Sequence, residues 1–268
     1  MTSSFWIDGR AADAATLSRL QTNYGHLSTM QMRGGAAQGL GRHLMRLQSA
    51  NVELFGTALS DERIHRELAA ALRAAAVDDA TLRVSVGALD FSAVERGDAA
   101  EVALLVALSP PRTPPASPQR LQTCRHQRPL AHLKHLATLP LLHARRTARA
   151  AGFDDALLVD GAGHVTEGAL WNIGFVDAEG GIVWPDGAAL RGVAETLLRE
   201  GLHAAGIAQR VAPVRRSDCL AFRSAFACNS NGLWPLASID GQAFAGDPVI
   251  PAALQAVLAT APWEPLMA

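Results

Sequence analysis

The fold is decided by the stretch of chain from residue 132 to residue 173. It opens with His132-Leu133-Lys134-His135-Leu136 and is helical in composition from there to Ala151. It continues as Gly152-Phe153-Asp154-Asp155-Ala156-Leu157-Leu158-Val159-Asp160 and, after a turn rich in glycine, as Val165-Thr166-Glu167-Gly168-Ala169-Leu170-Trp171-Asn172-Ile173. This pattern predicts a helix, a buried strand at 156–159, a tight turn at 161–163 and a second strand at 172–176.

Lys134 is the single lysine of a chain in which Lys and Arg together number 24. A desolvated lysine amine can lose its proton and attack a carbonyl carbon, whereas arginine stays protonated. A bias toward Ala and Arg codons would equally leave one lysine on the surface. Composition alone therefore makes Lys134 a candidate for amine chemistry and leaves both explanations open.

These segments resemble the class IV aminotransferases, a family that includes branched-chain and D-amino-acid aminotransferases and aminodeoxychorismate lyase. The resemblance implies an α/β (α+β) fold of the D-amino-acid aminotransferase type, with a smaller N-terminal domain, a larger C-terminal domain and the cofactor between them. It implies that Lys134 holds pyridoxal 5'-phosphate (PLP) as a Schiff base and then acts as general base and acid. It also implies that Glu167 keeps the pyridine nitrogen protonated; a surface acid in a turn is the alternative for Glu167.

Three further segments resemble the family's phosphate-binding parts. Arg46, in His43-Leu44-Met45-Arg46-Leu47-Gln48-Ser49-Ala50, matches an arginine that grips the phosphate, a role that suits a planar guanidinium. The helix that begins near Gly192, Val193 and Ala194 would offer backbone N–H groups to the same anion. The turn Asn229-Ser230-Asn231-Gly232 would complete the phosphate site, although its composition is also that of an ordinary turn.

A proline-rich segment, Ser109-Pro110-Pro111-Arg112-Thr113-Pro114-Pro115-Ala116-Ser117-Pro118, predicts an extended linker because proline is excluded from helix interiors and central strands. It divides the chain into an N-terminal α/β domain (1–118) and a PLP-binding domain (119–268). Arg125 and Arg128 follow the linker, where either could meet a substrate carboxylate. Exposed linker charge is the favoured interpretation of both.

Periodicity predicts the other elements. Strands are expected at 5–9, 24–33, 82–86 and 102–108, helices at 11–20, 40–54, 60–76, 190–205 and 252–261, and turns at 34–35, 184–187 and 239–241. Ser60 or Asp61 is the expected N-cap of the helix at 60–76. Tyr24, the only tyrosine, either borders the substrate cavity or caps a sheet.

Composition narrows the class of protein. A 268-residue chain that is 49% hydrophobic and 18% charged is typical of globular proteins, and its net charge of -1 argues against nucleic-acid binding. Its three cysteines suggest neither a zinc ribbon nor a disulfide framework. No signal peptide or transmembrane run is recognised, so we expect a cytoplasmic protein without membrane partners.

The sequence argues against a dinucleotide-binding site and against a metal site. The glycines at 161, 163 and 168 lack dinucleotide-binding spacing. His132 and His135 flank Lys134 without an acidic or cysteine ligand nearby, so no metal is expected.

Two residues depart from the family pattern. Ala137 replaces a frequent asparagine, and Ala194 replaces a usual Thr or Ser. Each loss would weaken the binding of PLP by about 1 kcal/mol.

The sequence therefore predicts a PLP-dependent aminotransferase, by resemblance a homodimer, that acts on amino acids or amines and 2-oxo acids. The alternative enzyme is an aminodeoxychorismate-lyase-like protein that releases pyruvate. Ala137 and Leu139, which stands where the branched-chain enzymes carry Tyr, point away from those enzymes. A non-catalytic relative with a decayed site and a plain α/β binding domain are the remaining hypotheses.

Overall fold

The computed structural model describes residues 4–11 and 22–267. The chain divides into two compact units: the first comprises Met1–Arg112, Leu133–Ala137 and Pro262–Ala268, and the second comprises Thr113–His132 and Thr138–Ala261. Lys134 therefore belongs to the first unit, although the chain on both sides of its segment belongs to the second. The predicted boundary at residue 118 separates two domains that would each fold independently. This boundary stays a prediction.

A seven-stranded antiparallel sheet forms the centre of the first unit. Its strands are β1 (Ser4–Ile7), β2 (Arg10–Ala11), β3 (His26–Arg33), β4 (Ala36–Gln38), β5 (Ala80–Ala88), β6 (Val102–Ser109) and, from the C-terminus, β16 (Trp263–Pro265). They are arranged in the order β16-β4-β3-β5-β6-β1-β2. The glycine pair Gly34-Gly35, both at positive φ, makes the predicted hairpin between β3 and β4.

Helices α1 (Leu40–Phe55), α2 (Asp61–Ala75) and α3 (Phe91–Arg96) complete the first unit. Helix α1 is amphipathic, because Leu44 and Leu47 are buried in the same core as the sheet, but Val52, the third apolar residue of the predicted pattern, is exposed. Burying each of these leucine side chains contributes about 1.5–3 kcal/mol. Ser60 caps α2 as predicted, with its hydroxyl oxygen accepting from Arg63 N–H at 3.3 Å.

A nine-stranded mixed sheet forms the centre of the second unit. Its strands are β7 (Gln119–Arg125), β8 (Asp155–Val159), β9 (Val165–Gly168), β10 (Asn172–Val176), β11 (Ile182–Pro185), β12 (Gln209–Ala212), β13 (Ser224–Asn229), β14 (Gly232–Ile239) and β15 (Gln242–Ala243). The order is β12-β11-β10-β13-β14-β7-β8-β9, with β15 paired to β14. The pairs β11–β12, β14–β7 and β7–β8 are parallel.

The second unit also contains three helices and a short 3-10 helix: α4 (Leu139–Ala150), α5 (Val193–Ala204), α6 (Ala252–Thr260) and the 3-10 helix Arg216–Ala221.

The structure corrects two predicted elements of this unit. Helix α4 begins three residues later than expected, with Pro140 in its first turn, where a missing N–H costs nothing. Trp184 and Pro185 end strand β11 rather than forming a turn.

Both units combine helices with a sheet, which confirms the predicted α/β class. The helix expected at 11–20 lies outside the described residues apart from Ala11, which ends β2. Within the described ranges, no helix is long and apolar enough to cross a membrane.

Candidate active site

Lys134 lies in an extended segment that pairs with the start of β3. Leu27 N–H donates to the Lys134 carbonyl at 2.8 Å, and Leu136 N–H donates to the Gly25 carbonyl at 2.8 Å. Gly25 permits this close approach, because a Cβ there would lie 2.4 Å from the Val86 carbonyl oxygen and 2.8 Å from Leu136 Cδ1. The backbone of the only lysine is thus fixed to the sheet of the first unit.

The guanidinium of Arg46 occupies a polar corner of the same unit. Its Nη2 donates to Ser28 Oγ at 2.6 Å and lies 3.1 Å from His43 Nδ1. Its Nε is buried and has no hydrogen-bond partner among the described residues. No carboxylate of the described residues pairs with the guanidinium either. Burial lowers the pKa of Arg46 to about 10, so the group stays charged at neutral pH. A buried cation of this kind needs an anion.

His43 and Ser28 surround that guanidinium and are themselves buried. Their Nδ1 and Oγ atoms lie 2.8 Å apart. Burial holds the pKa of His43 well below its usual value, and the positive charges of Arg46 and Lys134 lower it further. Both charges act on one imidazole, which places Lys134 and Arg46 in the same electrostatic neighbourhood of the first unit.

In the second unit, Glu167 is buried on β9, where Arg128 and Leu190 approach its carboxylate. Arg128 Nε lies 3.3 Å from its Oε1, and Leu190 N–H donates to its Oε2 at 3.4 Å. The expectation that Arg128 is an exposed linker charge is wrong, because the side chain is buried and Nη2 donates to the Ala131 carbonyl at 2.6 Å. Burial lowers the pKa of Arg128, against a smaller opposing effect of Glu167. Arg125 is exposed, as expected.

The start of α5 lies close to this carboxylate through Leu190. Asn172 Nδ2 donates to the Leu190 carbonyl at 2.6 Å, while the N–H of the same residue reaches Glu167. The first bond inside the helix runs from Thr196 N–H to the Gly192 carbonyl. The N–H groups of Val193 and Ala194 precede it and have no partner within the helix itself. Asn172 therefore links the Glu167 site to the helix start.

Asn229 and Ser230 lie at the hairpin that joins β13 to β14. Asn229 Nδ2 donates to the Leu170 carbonyl at 3.3 Å, and its Oδ1 accepts from Asn231 N–H at 2.8 Å. These contacts make Asn229 a turn-forming residue whose amide is engaged by protein. The assignment of both residues to phosphate binding stays a prediction.

Tyr24 packs inside the first unit. Its hydroxyl donates to the Leu54 carbonyl at 3.0 Å, and its ring makes edge contacts with Phe55 and Phe91. Tyr24 is thus packed against helices of its unit, and its place beside the substrate cavity stays a prediction.

The structure therefore assembles two groups of the expected residues, each within its own unit. Lys134 and Arg46 share the first group, and Glu167 and the Gly192 helix start share the second. No role was predicted for His43, Ser28 or Asn172, although His43 and Asn172 lie inside the motifs that carry the resemblance. Within residues 4–11 and 22–267, no group of three or more His, Cys, Asp or Glu side chains could hold a metal ion.

Residues 25–239 match the family model described as amino-transferase class IV. No curated protein sequence matches the chain. Several solved structures do. A 4-amino-4-deoxychorismate lyase from Pseudomonas aeruginosa is 28% identical, with 95% of this chain and 97% of that chain covered and a TM-score of 0.77.

Two other structures share the fold at lower identity. The branched-chain aminotransferase from Thermoproteus uzoniensis, solved with norvaline, is 20% identical over 97% of this chain and 93% of its own, with a TM-score of 0.81. A hypothetical aminotransferase from Mycobacterium tuberculosis in its PLP-bound form is 20% identical over 93% and 92%, with a TM-score of 0.76.

Proposed function

The chain belongs to the class IV aminotransferase family, and from that premise we propose that it is an aminotransferase that moves an amino group between an amino acid or amine and a 2-oxo acid. The cofactor of this family is PLP. One observation carries the proposal: the only lysine is fixed to the sheet of the unit that also holds the uncompensated cation Arg46. That pairing supplies a reactive amine together with an anion-binding group.

The residues of the first unit fit the phosphate of PLP. Arg46 keeps its charge and presents a buried Nε–H that no described residue accepts. A phosphate oxygen would satisfy that donor, and charge-assisted contacts of this kind are about twice as strong as neutral ones. We assign Arg46 to the cofactor phosphate on this ground.

In the second unit we assign the backbone N–H groups from Gly192 to Ala194 to phosphate binding. A helix start favours negative charge through its dipole and its unused donors. Asn229 and Ser230 complete this assignment as turn residues. Ala194 brings a backbone donor without a hydroxyl, so we expect weaker phosphate binding than from a Ser or Thr at that position.

When bound, PLP supplies the electron sink that stabilises negative charge on the α-carbon of an amino acid. Lys134 Nζ would attach the cofactor and, once displaced by the substrate amine, would take the α-proton and return it to the acceptor carbon. The Glu167 carboxylate would hold the proton on the ring nitrogen. Arg128, 3.3 Å from Glu167, and Leu190 N–H orient that carboxylate.

The test is the visible absorption of the purified protein with added PLP, for wild type and Lys134→Ala. We expect the wild type to show a visible band. Borohydride should then leave the cofactor permanently attached to Lys134, where peptide mass spectrometry would locate it. Adding an amino donor should convert the bound cofactor to its amine form, and a 2-oxo acid should restore it. A wild type that shows no band with PLP in excess would instead support a non-catalytic relative.

A second candidate is a lyase that releases pyruvate from 4-amino-4-deoxychorismate. The observation that favours it is the 28% identity to the Pseudomonas aeruginosa lyase across 95% of this chain. Both reactions need the same amine and electron sink, so the cofactor residues do not separate them. Pyruvate released without any 2-oxo acid acceptor would identify the lyase, and amino transfer without pyruvate release would identify the aminotransferase.

A further inference from the structure

The Arg46 guanidinium is held by neutral groups rather than by a carboxylate. Its two polar neighbours among the described residues are Ser28 Oγ at 2.6 Å and His43 Nδ1 at 3.1 Å. Both neighbours are buried, so water does not compete for these contacts. The side chains come from two elements, β3 and α1, that pack against each other within the first unit.

The hydrogen-bond directions in this cluster follow from what each group can donate. Arginine only donates, so Ser28 Oγ accepts from Arg46. The Ser28 hydroxyl hydrogen can then point to His43 Nδ1, 2.8 Å away, where it shares the single Nδ1 lone pair with Arg46 Nη2 at 3.1 Å. Nδ1 can accept from Ser28 or Arg46 only through its lone pair, which places the imidazole proton on Nε2.

The charge of His43 is settled by its surroundings. Burial and the neighbouring charges of Arg46 and Lys134 hold its pKa well below the usual value. The ring is therefore neutral at physiological pH and acts as an acceptor dipole. A protonated ring would instead repel Arg46 and would have no lone pair at Nδ1.

We infer that His43 and Ser28 are positioning residues that orient the Arg46 guanidinium for the phosphate of PLP while leaving its charge intact. This inference rests on the proposed function. A carboxylate in the same place would orient the guanidinium equally well but would neutralise it and compete with the phosphate. Two neutral groups engage Nη2, and the buried Nε–H keeps no partner among the described residues.

The helical spacing makes His43 suitable for this role. His43 and Arg46 are three residues apart on α1, which places their side chains on the same face. Gln48, on the same helix, instead donates to Asp61 at 2.7 Å. Gln48→Leu is therefore a matched control that changes a polar side chain of α1 outside the cluster.

The experiment compares the dissociation constants of PLP and of pyridoxal, which lacks the phosphate. Their ratio isolates the phosphate contribution, whereas a general loss of structure weakens both ligands equally. The variants are His43→Leu, His43→Asn, His43→Asp and Ser28→Ala, with Arg46→Leu as the reference for a lost cation and Gln48→Leu as the control. Asn is included because its carbonyl oxygen can replace the Nδ1 acceptor.

We expect the wild type to bind PLP far more tightly than pyridoxal, and Arg46→Leu to lose most of that difference. His43→Leu and Ser28→Ala should each reduce the ratio about five- to tenfold, as expected for one lost hydrogen bond. His43→Asn should stay near wild type, and His43→Asp should fall toward Arg46→Leu because its carboxylate pairs with the guanidinium. The ³¹P resonance of bound PLP should move in the same variants.

The outcomes separate this inference from the proposed function. A wild type that does not prefer PLP to pyridoxal would remove the phosphate assignment of Arg46. If the wild type prefers PLP and Arg46→Leu does not, an unchanged ratio in both His43→Leu and Ser28→Ala would overturn the positioning role. The role is also overturned if His43→Asn is as poor as His43→Leu, because the acceptor atom would then not matter. Should His43→Leu fail to fold, Ser28→Ala gives the same decision.

Discussion

The buried ring of His26 makes the stability of the first unit depend on pH. Burial, with a smaller contribution from the charge of Arg46, lowers the pKa of His26 from 6.5 to about 4. The unfolded chain therefore binds the proton between those two values while the folded chain does not. The stability is complete above about pH 6.5 and decreases as the pH falls toward 4. When the pH falls from 7.5 to 5, we expect the titration of His26 to lower the free energy of unfolding by roughly 2 kcal/mol.

His26→Leu tests this expectation by replacing the ring with an apolar side chain that does not titrate. Its free energy of unfolding in urea, measured at pH 7.5 and 5, should fall less than that of the wild type by roughly 2 kcal/mol. The pH dependence that persists belongs partly to His43, whose pKa burial also lowers. The same fall in wild type and variant would contradict the prediction.

The three cysteines should differ in reactivity because two of their thiols are buried. Burial raises the pKa of Cys219 to about 12 and the pKa of Cys228 well above its usual value. At pH 8 the thiolate population of Cys219 would be roughly a thousandfold below that of an ordinary cysteine. A maleimide should therefore label half-buried Cys124 first, and the other two only in urea, as peptide mass spectrometry would show. Equal labelling in the folded protein would contradict this.

Among the elements, the extended segment Leu133–Ala137 depends on close approach at Gly25. Gly25→Ala would place a Cβ 2.4 Å from the Val86 carbonyl oxygen and 2.8 Å from Leu136 Cδ1, so β5 or the segment must move. We expect a loss of stability of about 1–3 kcal/mol and less PLP fixed to Lys134 by borohydride. Gly41→Ala is the matched control, because its Cβ would meet only Glu264 Oε2, at 3.6 Å. Equal PLP fixation in the two variants would show that the approach at Gly25 is dispensable.

The start of α5 depends on a second close approach, between Gly192 and Asn172. A Cβ at Gly192 would lie 2.3 Å from Asn172 Oδ1, although the backbone there, at φ -69 and ψ 151, suits any residue. Gly192→Ala should therefore displace the Asn172 amide from the Leu190 carbonyl, and PLP affinity should fall roughly tenfold.

A double-mutant cycle tests whether that effect runs through Asn172. Asn172→Ala removes the obstructing side chain, so adding Gly192→Ala to it should cost little further PLP affinity. Additive losses in the double variant would show that the two residues act independently.

For the whole molecule, the fold could be predicted where the signal is local. Apolar spacing gave α1 within one residue of its observed end, and Ser60 marked the start of α2. The pairing of Leu133–Ala137 with β3 could not be read in this way, because its partner, 25–27, lies about a hundred residues earlier. Position near a linker likewise suggested that Arg128 is exposed, whereas tertiary packing buries it beside Glu167.

The candidate site was predictable to the same degree. Lys134 stands out by composition, and the motifs directed attention to Arg46 and Glu167. The holding groups Ser28 and His43 come from different elements, so their contact requires the fold. Ser28 carries no signal in the sequence, whereas His43 could have been noticed three residues before Arg46 on the same helix face.

The first unit takes residues from beyond the linker, which leads to a prediction about independent folding. Strand β16 pairs with β4, and Leu133–Ala137 pairs with the start of β3, so residues 1–112 lack part of their own unit. A recognition sequence for a site-specific protease can be inserted after Ala116, in the exposed segment. The protease would then cut the chain there without removing any residue. We expect the two pieces to stay together on size exclusion at neutral pH and to separate in urea, because the bonds to β3 and β4 survive the cut. Residues 1–118 expressed alone should aggregate, since the edge of β4 that β16 covers would be exposed. Separation of the cut chain into two folded pieces without urea would show instead that two domains meet at residue 118.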